Sequence, residues 1–285
     1  MASAQPGMGP AMQLAAVVET CLPASGSGIH QYVRHFAKPQ SPLRTSPKSL
    51  SGIYETHKLS KNPPQVSIWT RNMSAEGMLL GAALKRIAPP GVRVRHRMIT
   101  DGDEHALLAA EATGFWTSTL KVRRQSGAAR IAARELLSNL GYDNVPLPRN
   151  ALGMPTWPCG LVGSLTHDDD VAVAAIARAT EFAALGIDVE PAQEMDPKLV
   201  PLVTTSSERQ RYDAVLLRSR LFFVIKEATY KALNPVDGHF LDFQDMEIDL
   251  RNKICRTSTG KSVNIAFTTE PRVVALSFVL TGREQ

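Results

Sequence analysis

The chain has 285 residues, of which 44% are hydrophobic and 21% are charged, and its formal net charge is +5. This length and composition are typical of a globular protein with one large domain or two ordinary ones. The apolar runs are all shorter than the roughly 18 residues that a membrane helix needs. Three scattered cysteines without a CxxC pair argue against a zinc site or a disulfide framework. We therefore expect a cytoplasmic protein without a membrane span.

Residues 1–75 differ in composition from the rest of the chain. They are rich in Ser, Pro, Gly and Gln, and their seven basic and two acidic residues account for the whole net charge of +5. This composition predicts a poorly ordered or low-complexity extension. Because the remainder is formally neutral, the charge does not indicate a nucleic-acid surface on the folded part. The alternative is an arm that contacts an anionic partner weakly or acts in targeting, and nucleic-acid binding through this arm is a third, weaker idea.

The first half of the remaining chain predicts a helix, a strand, further helices and a hairpin. Apolar residues at helical spacing, consecutive prolines and a closing glycine mark the helices, and alternating or continuous apolar runs mark the strands. The predicted helices are 78–87, 106–113 and 118–140, and the predicted strands are 92–99, 161–167 and 171–177.

The second half predicts a strand, one long helix and further strands. The helix follows Thr205 and Glu208, which have the spacing of a capping box, and we expect it to end at Asn234 and Pro235. The predicted strands are 182–189, 241–250, 262–268 and 272–280, and the predicted helix is 207–233.

Three acidic residues and a lysine form the clearest chemical pattern. Asp188 and Glu190 are two apart in a predicted strand and therefore share one face. Glu227 and Lys231 are four apart and are neighbours on one face of the predicted helix. Charges in such apolar stretches are costly unless they bind something. Carboxylates beside a lysine suit a hard divalent cation that holds phosphate oxygens.

Three motifs follow one another along the chain and together carry a family resemblance. They resemble the motifs of 4'-phosphopantetheinyl transferases of the surfactin/enterobactin type, and the resemblance extends from about Gly81 to the C-terminus. The motifs are Gly163-Ser164-Leu165-Thr166-His167, Gly186-Ile187-Asp188-Val189-Glu190 and Phe223-Val224-Ile225-Lys226-Glu227-Ala228-Thr229-Tyr230-Lys231.

The resemblance implies a fold and an activity. The fold is α+β, a pseudo-twofold pair of similar halves, each a small, mostly antiparallel sheet packed on a long helix; here the halves would be 76–184 and 185–285. The activity is Mg²⁺-dependent transfer of 4'-phosphopantetheine from coenzyme A to a serine of an acyl or peptidyl carrier protein. Adenosine 3',5'-bisphosphate is released. A monomer that serves siderophore, nonribosomal peptide or polyketide synthesis is implied.

The resemblance also assigns roles to individual residues. Glu227 would be the catalytic base as well as a metal ligand, and Lys231 would hold phosphates during catalysis. Lys226 would contact phosphate or pair with Asp188. The implied metal ligands are Asp188, Glu190 and Glu227, and the implied coenzyme A contacts are Arg123, Arg130, Arg134, Ser164, Thr166, His167, Lys226 and Lys231.

Two other functions fit the same residues. One is a different Mg²⁺-dependent enzyme that acts on a nucleotide pyrophosphate, and the other is a non-catalytic protein that binds coenzyme A or a nucleotide. The three aspartates at 168–170 are interpreted as a solvated turn.

Overall fold

The structure is a computed structural model that describes residues 74–237 and 241–282. The predicted extension therefore lies almost wholly outside the described residues. Within them, the helices are α1 (Ala75–Ile87), α2 (Ala109–Ala112), α3 (Leu120–Ser138), α4 (Val200–Val203), α5 (Ser206–Arg211), α6 (Ala214–Arg218) and α7 (Leu221–Asp237). The strands are β1 (Arg93–Met98), β2 (Leu161–His167), β3 (Val171–Arg178), β4 (Phe182–Pro191), β5 (Met246–Asp249), β6 (Ile254–Thr257), β7 (Ser262–Thr268) and β8 (Arg272–Leu280).

The strands of the described residues form two antiparallel sheets. The smaller sheet has the order β1-β3-β2 and the larger has the order β4-β8-β7-β6-β5. The predicted hairpin is confirmed, since β2 and β3 pair along their whole length, with Leu161 opposite Arg178 and His167 opposite Ala172.

Alternating side chains of the central strands build a four-layer arrangement of helix, sheet, sheet and helix. Even-numbered residues of β3 pack on α3, and odd-numbered residues pack on the larger sheet and on α1. Leu185, Ile187 and Val189 of β4 pack against these odd-numbered residues, between the two sheets. Strand β3 is buried on both faces, which explains its continuous apolar run. The α+β class is confirmed, while the division of the chain at residue 184 stays a prediction.

One predicted helix is wrong, because the chain between Ser206 and Asp237 forms three helices instead of one. Tyr212 and Ser219 adopt extended backbone conformations that end α5 and α6. The Asp213 side chain accepts a hydrogen bond from Leu216 N and caps the new helix α6. Helix α7 includes Pro235 in its last turn and ends two residues later, within the usual uncertainty of helix boundaries.

Candidate active site

Strand β4 and helix α7 meet at Gly186. A Cβ atom added to Gly186 would lie 2.0 Å from the carbonyl oxygen of Ala228 and 2.6 Å from the backbone nitrogen of Ala232. Only glycine permits so close an approach of the two backbones. Because side chains alternate along a strand, Asp188 and Glu190 share the face of Gly186 and therefore lie against α7.

Two buried ion pairs join β4 to α7. Asp188 Oδ1 accepts hydrogen bonds from Lys231 Nζ at 2.6 Å and from Thr166 Oγ1 at 2.8 Å. Glu190 Oε2 accepts one from Arg220 Nη1 at 2.7 Å. Arg220, directly before α7, thus lies opposite Glu190, and Lys231, eleven residues later, lies opposite Asp188, which precedes Glu190 in β4. The helix therefore runs antiparallel to the strand.

Along helix α7, Glu227 falls between the residues that form these two ion pairs. It is 3% exposed, and those residues are Arg220 and Lys231, whose partners are Glu190 and Asp188. Burial and then the Glu227 carboxylate raise the pKa of the neighbouring Tyr230. Because Glu227 is four residues before Lys231 and shares its helical face, we expect the Glu227 carboxylate at the same interface between β4 and α7.

These carboxylates supply the donor chemistry that a hard divalent cation needs. No group of three or more His, Cys, Asp or Glu side chains forms a ready metal cage in the described part of the chain. Mg²⁺ is usually held by one or two carboxylates with water and substrate phosphates, so a complete protein cage is not required. Asp188 and Glu227 fit that kind of site.

A basic cavity of about 200 Å³ is lined by Thr166 and Lys231, the two residues that bind Asp188. Its lining includes Arg130, Arg149, His167 and Lys231. The guanidinium groups of Arg149 and Arg130 lie 4.1 and 4.8 Å from the centre of the Phe115 ring. Burial lowers the pKa of both arginines, that of Arg130 to about 10. This concentration of cations suits phosphate groups.

A second, less polar cavity of about 450 Å³ lies beside the first. Its walls include Ser164, Trp157 and Tyr230, and Lys231 borders both cavities. Thr166 and His167 line the basic cavity. The predicted motif from Ser164 to His167 is therefore divided between the two cavities.

The predicted role of Lys226 is wrong. Its side chain is fully buried, and its ammonium group donates to Val203 O at 2.9 Å, Glu208 Oε2 at 2.8 Å and Phe243 O at 2.9 Å. An ammonium group has three donors, so none is left for a phosphate or for Asp188. Burial lowers the pKa of Lys226, and Glu208 opposes this effect.

The three predicted arginines of α3 lie in different places. Arg130 lines the basic cavity, whereas Arg123 is exposed on the surface. Arg134 donates to Glu111 Oε1 at 2.8 Å and to Ala106 O at 2.5 Å. Of these three, Arg130 is the one that lines the basic cavity, although its Nε and Nη1 already donate to Leu147 O at 3.1 Å and to Ser126 O at 3.2 Å. Arg149 was missed, because it lies in a proline-rich loop without a periodic pattern.

The interpretation of residues 168–170 as a solvated turn is wrong for Asp168, whereas the Asp170 side chain is 65% exposed. Asp168 is 1% exposed and accepts hydrogen bonds from the backbone nitrogens of Asp170 and Val171, both at 2.8 Å. Arg272 of β8 donates to Asp168 and, at 3.2 Å, to Asp170. Burial raises the pKa of Asp168, and the Arg272 cation opposes the rise. The turn after His167 is therefore fastened to the larger sheet.

Comparisons with known proteins identify the family. Residues 110–177 match the model of the 4'-phosphopantetheinyl transferase N-terminal domain, and residues 184–277 match that of the 4'-phosphopantetheinyl transferase superfamily. The chain is 33% identical over 168 residues to 4'-phosphopantetheinyl transferase Svp of Streptomyces mobaraensis, covering 56% of this chain and 68% of Svp. The chain therefore belongs to the 4'-phosphopantetheinyl transferase family.

Other relatives match over shorter segments. The chain is 39% identical over 134 residues to 4'-phosphopantetheinyl transferase Npt of Nocardia iowensis, covering 46% of this chain and 60% of Npt. It is 33% identical over 124 residues to enterobactin synthase component D of Escherichia coli K12, covering 41% of this chain and 58% of the relative. The matched segment is thus less than two thirds of either relative.

Among the described residues, no helix is long and apolar enough to cross a membrane.

Proposed function

We propose that the chain transfers the 4'-phosphopantetheine group of coenzyme A to a serine hydroxyl of an acyl or peptidyl carrier protein, with Mg²⁺ as the cofactor. The single observation that carries the proposal is the position of Lys231. Its ammonium group binds Asp188 at 2.6 Å and borders both the basic and the less polar cavity. Lys231 therefore contacts a buried carboxylate and borders both the cavity proposed for the phosphates and the cavity proposed for the pantetheine arm.

The two cavities match the two chemical parts of coenzyme A. Its phosphates suit the cavity lined by Arg130, Arg149 and His167, and its less polar pantetheine arm suits the cavity beside Trp157 and Tyr230. Thr166 lines the basic cavity and donates to Asp188 at 2.8 Å. A pyrophosphate bound there would lie close to the carboxylates.

The chemistry follows from this arrangement. When bound, Mg²⁺ would neutralise the negative charge that develops on the pyrophosphate. Asp188 and Glu227 would hold the cation, with Glu190 beside them. Glu227 takes the proton of the serine hydroxyl, directly or through a water molecule. The serine oxygen–phosphorus bond forms, the pyrophosphate bond breaks, and adenosine 3',5'-bisphosphate leaves while Lys231 holds a phosphate oxygen.

The proposal extends to the surroundings of the reaction. The protein would act as a cytoplasmic monomer on carrier proteins of siderophore, nonribosomal peptide or polyketide synthesis. The relative named enterobactin synthase component D supports the siderophore assignment.

Mass spectrometry of carrier proteins tests the activity. The full chain, coenzyme A, Mg²⁺ and a panel of apo carrier domains are mixed, and we expect one carrier to gain the mass of phosphopantetheine. Glu227→Gln should abolish the gain and keep the circular dichroism spectrum, whereas Glu247→Gln, at a half-buried surface pair, should behave like the wild type.

Coenzyme A consumption without a carrier mass gain would indicate a different pyrophosphate enzyme. Tight coenzyme A binding that EDTA does not weaken, without turnover, would indicate a binding protein.

A further inference from the structure

The two β4 carboxylates that face α7 have counter-ions of very different accessibility. The Lys231 side chain is 23% exposed and borders both cavities, whereas that of Arg220 is 4% exposed. Lys231 can therefore exchange Asp188 for a phosphate when substrate enters. Arg220 cannot leave Glu190 in the same way, because a buried carboxylate would then lose its arginine counter-ion, which is costly.

Backbone contacts on both sides keep Arg220 in place. The Arg220 carbonyl accepts Val224 N at 2.9 Å in the first turn of α7. Just before it, Ser219 forms a bridge with Glu194, and Arg218 O accepts Met195 N at 2.7 Å. The loop that leaves β4 after Glu190 is thus tied to the segment that carries Arg220.

We propose that Arg220 is a permanent internal counter-ion of Glu190, and that it weakens the binding of the divalent cation in the absence of substrate. This inference rests on the proposed function, because it assumes that the cation binds at the carboxylates. One positive charge stays beside the site throughout the reaction and repels a second cation. Mg²⁺ then binds firmly only when the coenzyme A phosphates supply further negative charge.

Calorimetric titration of the full chain with Mg²⁺, without coenzyme A, tests the role of Arg220. We expect Arg220→Met to lower the dissociation constant about tenfold or more, since a nearby repulsive charge has been removed. Arg211→Met is the matched control, because Arg211 pairs with Glu247 at 3.2 Å on the surface, and its dissociation constant should equal that of the wild type. Arg220→Gln keeps a hydrogen-bond donor without the charge, and it replaces Arg220→Met in the titration if Arg220→Met does not fold.

Thermal unfolding provides the second measurement. Arg220→Met should lower Tm in EDTA, and Mg²⁺ should raise its Tm more than that of the wild type. Arg220→Met/Glu190→Gln, which removes both charges, should recover much of the lost Tm and lose the tighter Mg²⁺ binding.

The possible failures are distinguishable. An unchanged or weaker affinity for Mg²⁺ in Arg220→Met and Arg220→Gln, with normal binding by the wild type, would refute the role of Arg220 alone. Wild-type protein that binds Mg²⁺ but modifies no carrier would refute the proposed function. Absence of Mg²⁺ binding in the wild type and in both variants, with coenzyme A as well as without it, would refute the metal site on which both proposals depend.

Discussion

Lys231 and Lys226 show how five residues along one helix separate two functions. Each residue turns an α-helix by about 100°, so the two lysines point to nearly opposite sides of α7. Lys231 is directed toward β4 and the cavities, where it binds Asp188. Lys226 is directed away from them, into a buried pair with Glu208. One lysine acts on the site and the other fastens the helix that carries it.

His96 provides a test of burial at the residue scale. Burial lowers its pKa below 6.5, the Arg95 cation adds to this effect, and a hydrogen bond with the Gly77 backbone opposes it. The unfolded chain therefore takes up the proton first as the pH falls, and the free energy of unfolding should decrease below pH 6.5.

Urea unfolding above and below pH 6.5 measures this effect. His96→Gln should reduce the loss of stability on acidification, whereas His105→Gln should not, because the His105 side chain is 84% exposed. An equal acid dependence of the wild type and His96→Gln would contradict the assignment.

Residue spacing predicts part of the site and leaves part of it out. Asp188, Glu190, Glu227 and Lys231 follow from strand and helix periodicity, and the structure pairs Lys231 with Asp188. Arg220 is seven residues before Glu227 and so shares its helical face, a signal that was present in the sequence. Arg149 had no such signal, because its position depends on the tertiary packing of a loop on Phe115.

At the scale of elements, the contact between β4 and α7 organises the site. Gly186 allows the contact, and the strand period then directs Asp188 and Glu190 toward the helix. Replacement of Gly186 by alanine would bring a Cβ atom 2.0 Å from Ala228 O, so the helix must move away from the strand.

Gly186→Ala should therefore lower the free energy of unfolding by about 1–3 kcal/mol and reduce carrier modification. Gly114→Ala is the control, because its nearest neighbours, atoms of the Arg149 side chain, would lie 3.7 Å or more from the new Cβ. Urea unfolding of both variants measures the difference. Equal stability of the two variants would show that the close approach is not a constraint.

Two elements could not be predicted because their signals are weak. The break at Tyr212 and Asp213 depends on the Asp213 cap, and the segment 206–220 contains neither glycine nor proline to mark it. Strand β6 follows a turn in which Lys253 has φ of 54°, a conformation that usually indicates glycine or asparagine. Asn252 N donates to Asp249 Oδ1 at 3.0 Å and stabilises this turn, but the segment 250–253 contains neither glycine nor proline.

At the scale of the whole molecule, the two sheets are joined by apolar packing and by Arg272. This residue of β8 binds Asp168 and Asp170 in the hairpin turn and Glu76 in α1. The turn after His167 is thereby held against the half that carries the carboxylates. The family resemblance implies the α+β class, but neither it nor periodicity predicts an ion pair between residues 104 positions apart.

Diffraction from a crystal of the full chain with coenzyme A and Mn²⁺, recorded at the manganese absorption edge, would show whether one ion joins Asp188 and Glu227. We expect an anomalous peak between Asp188 and Glu227, in contact with an oxygen of the coenzyme A pyrophosphate, with Lys231 on the phosphates. Coenzyme A bound in the cavities with the metal elsewhere, or with Asp188 and Glu227 too far apart to share one ion, would contradict this expectation.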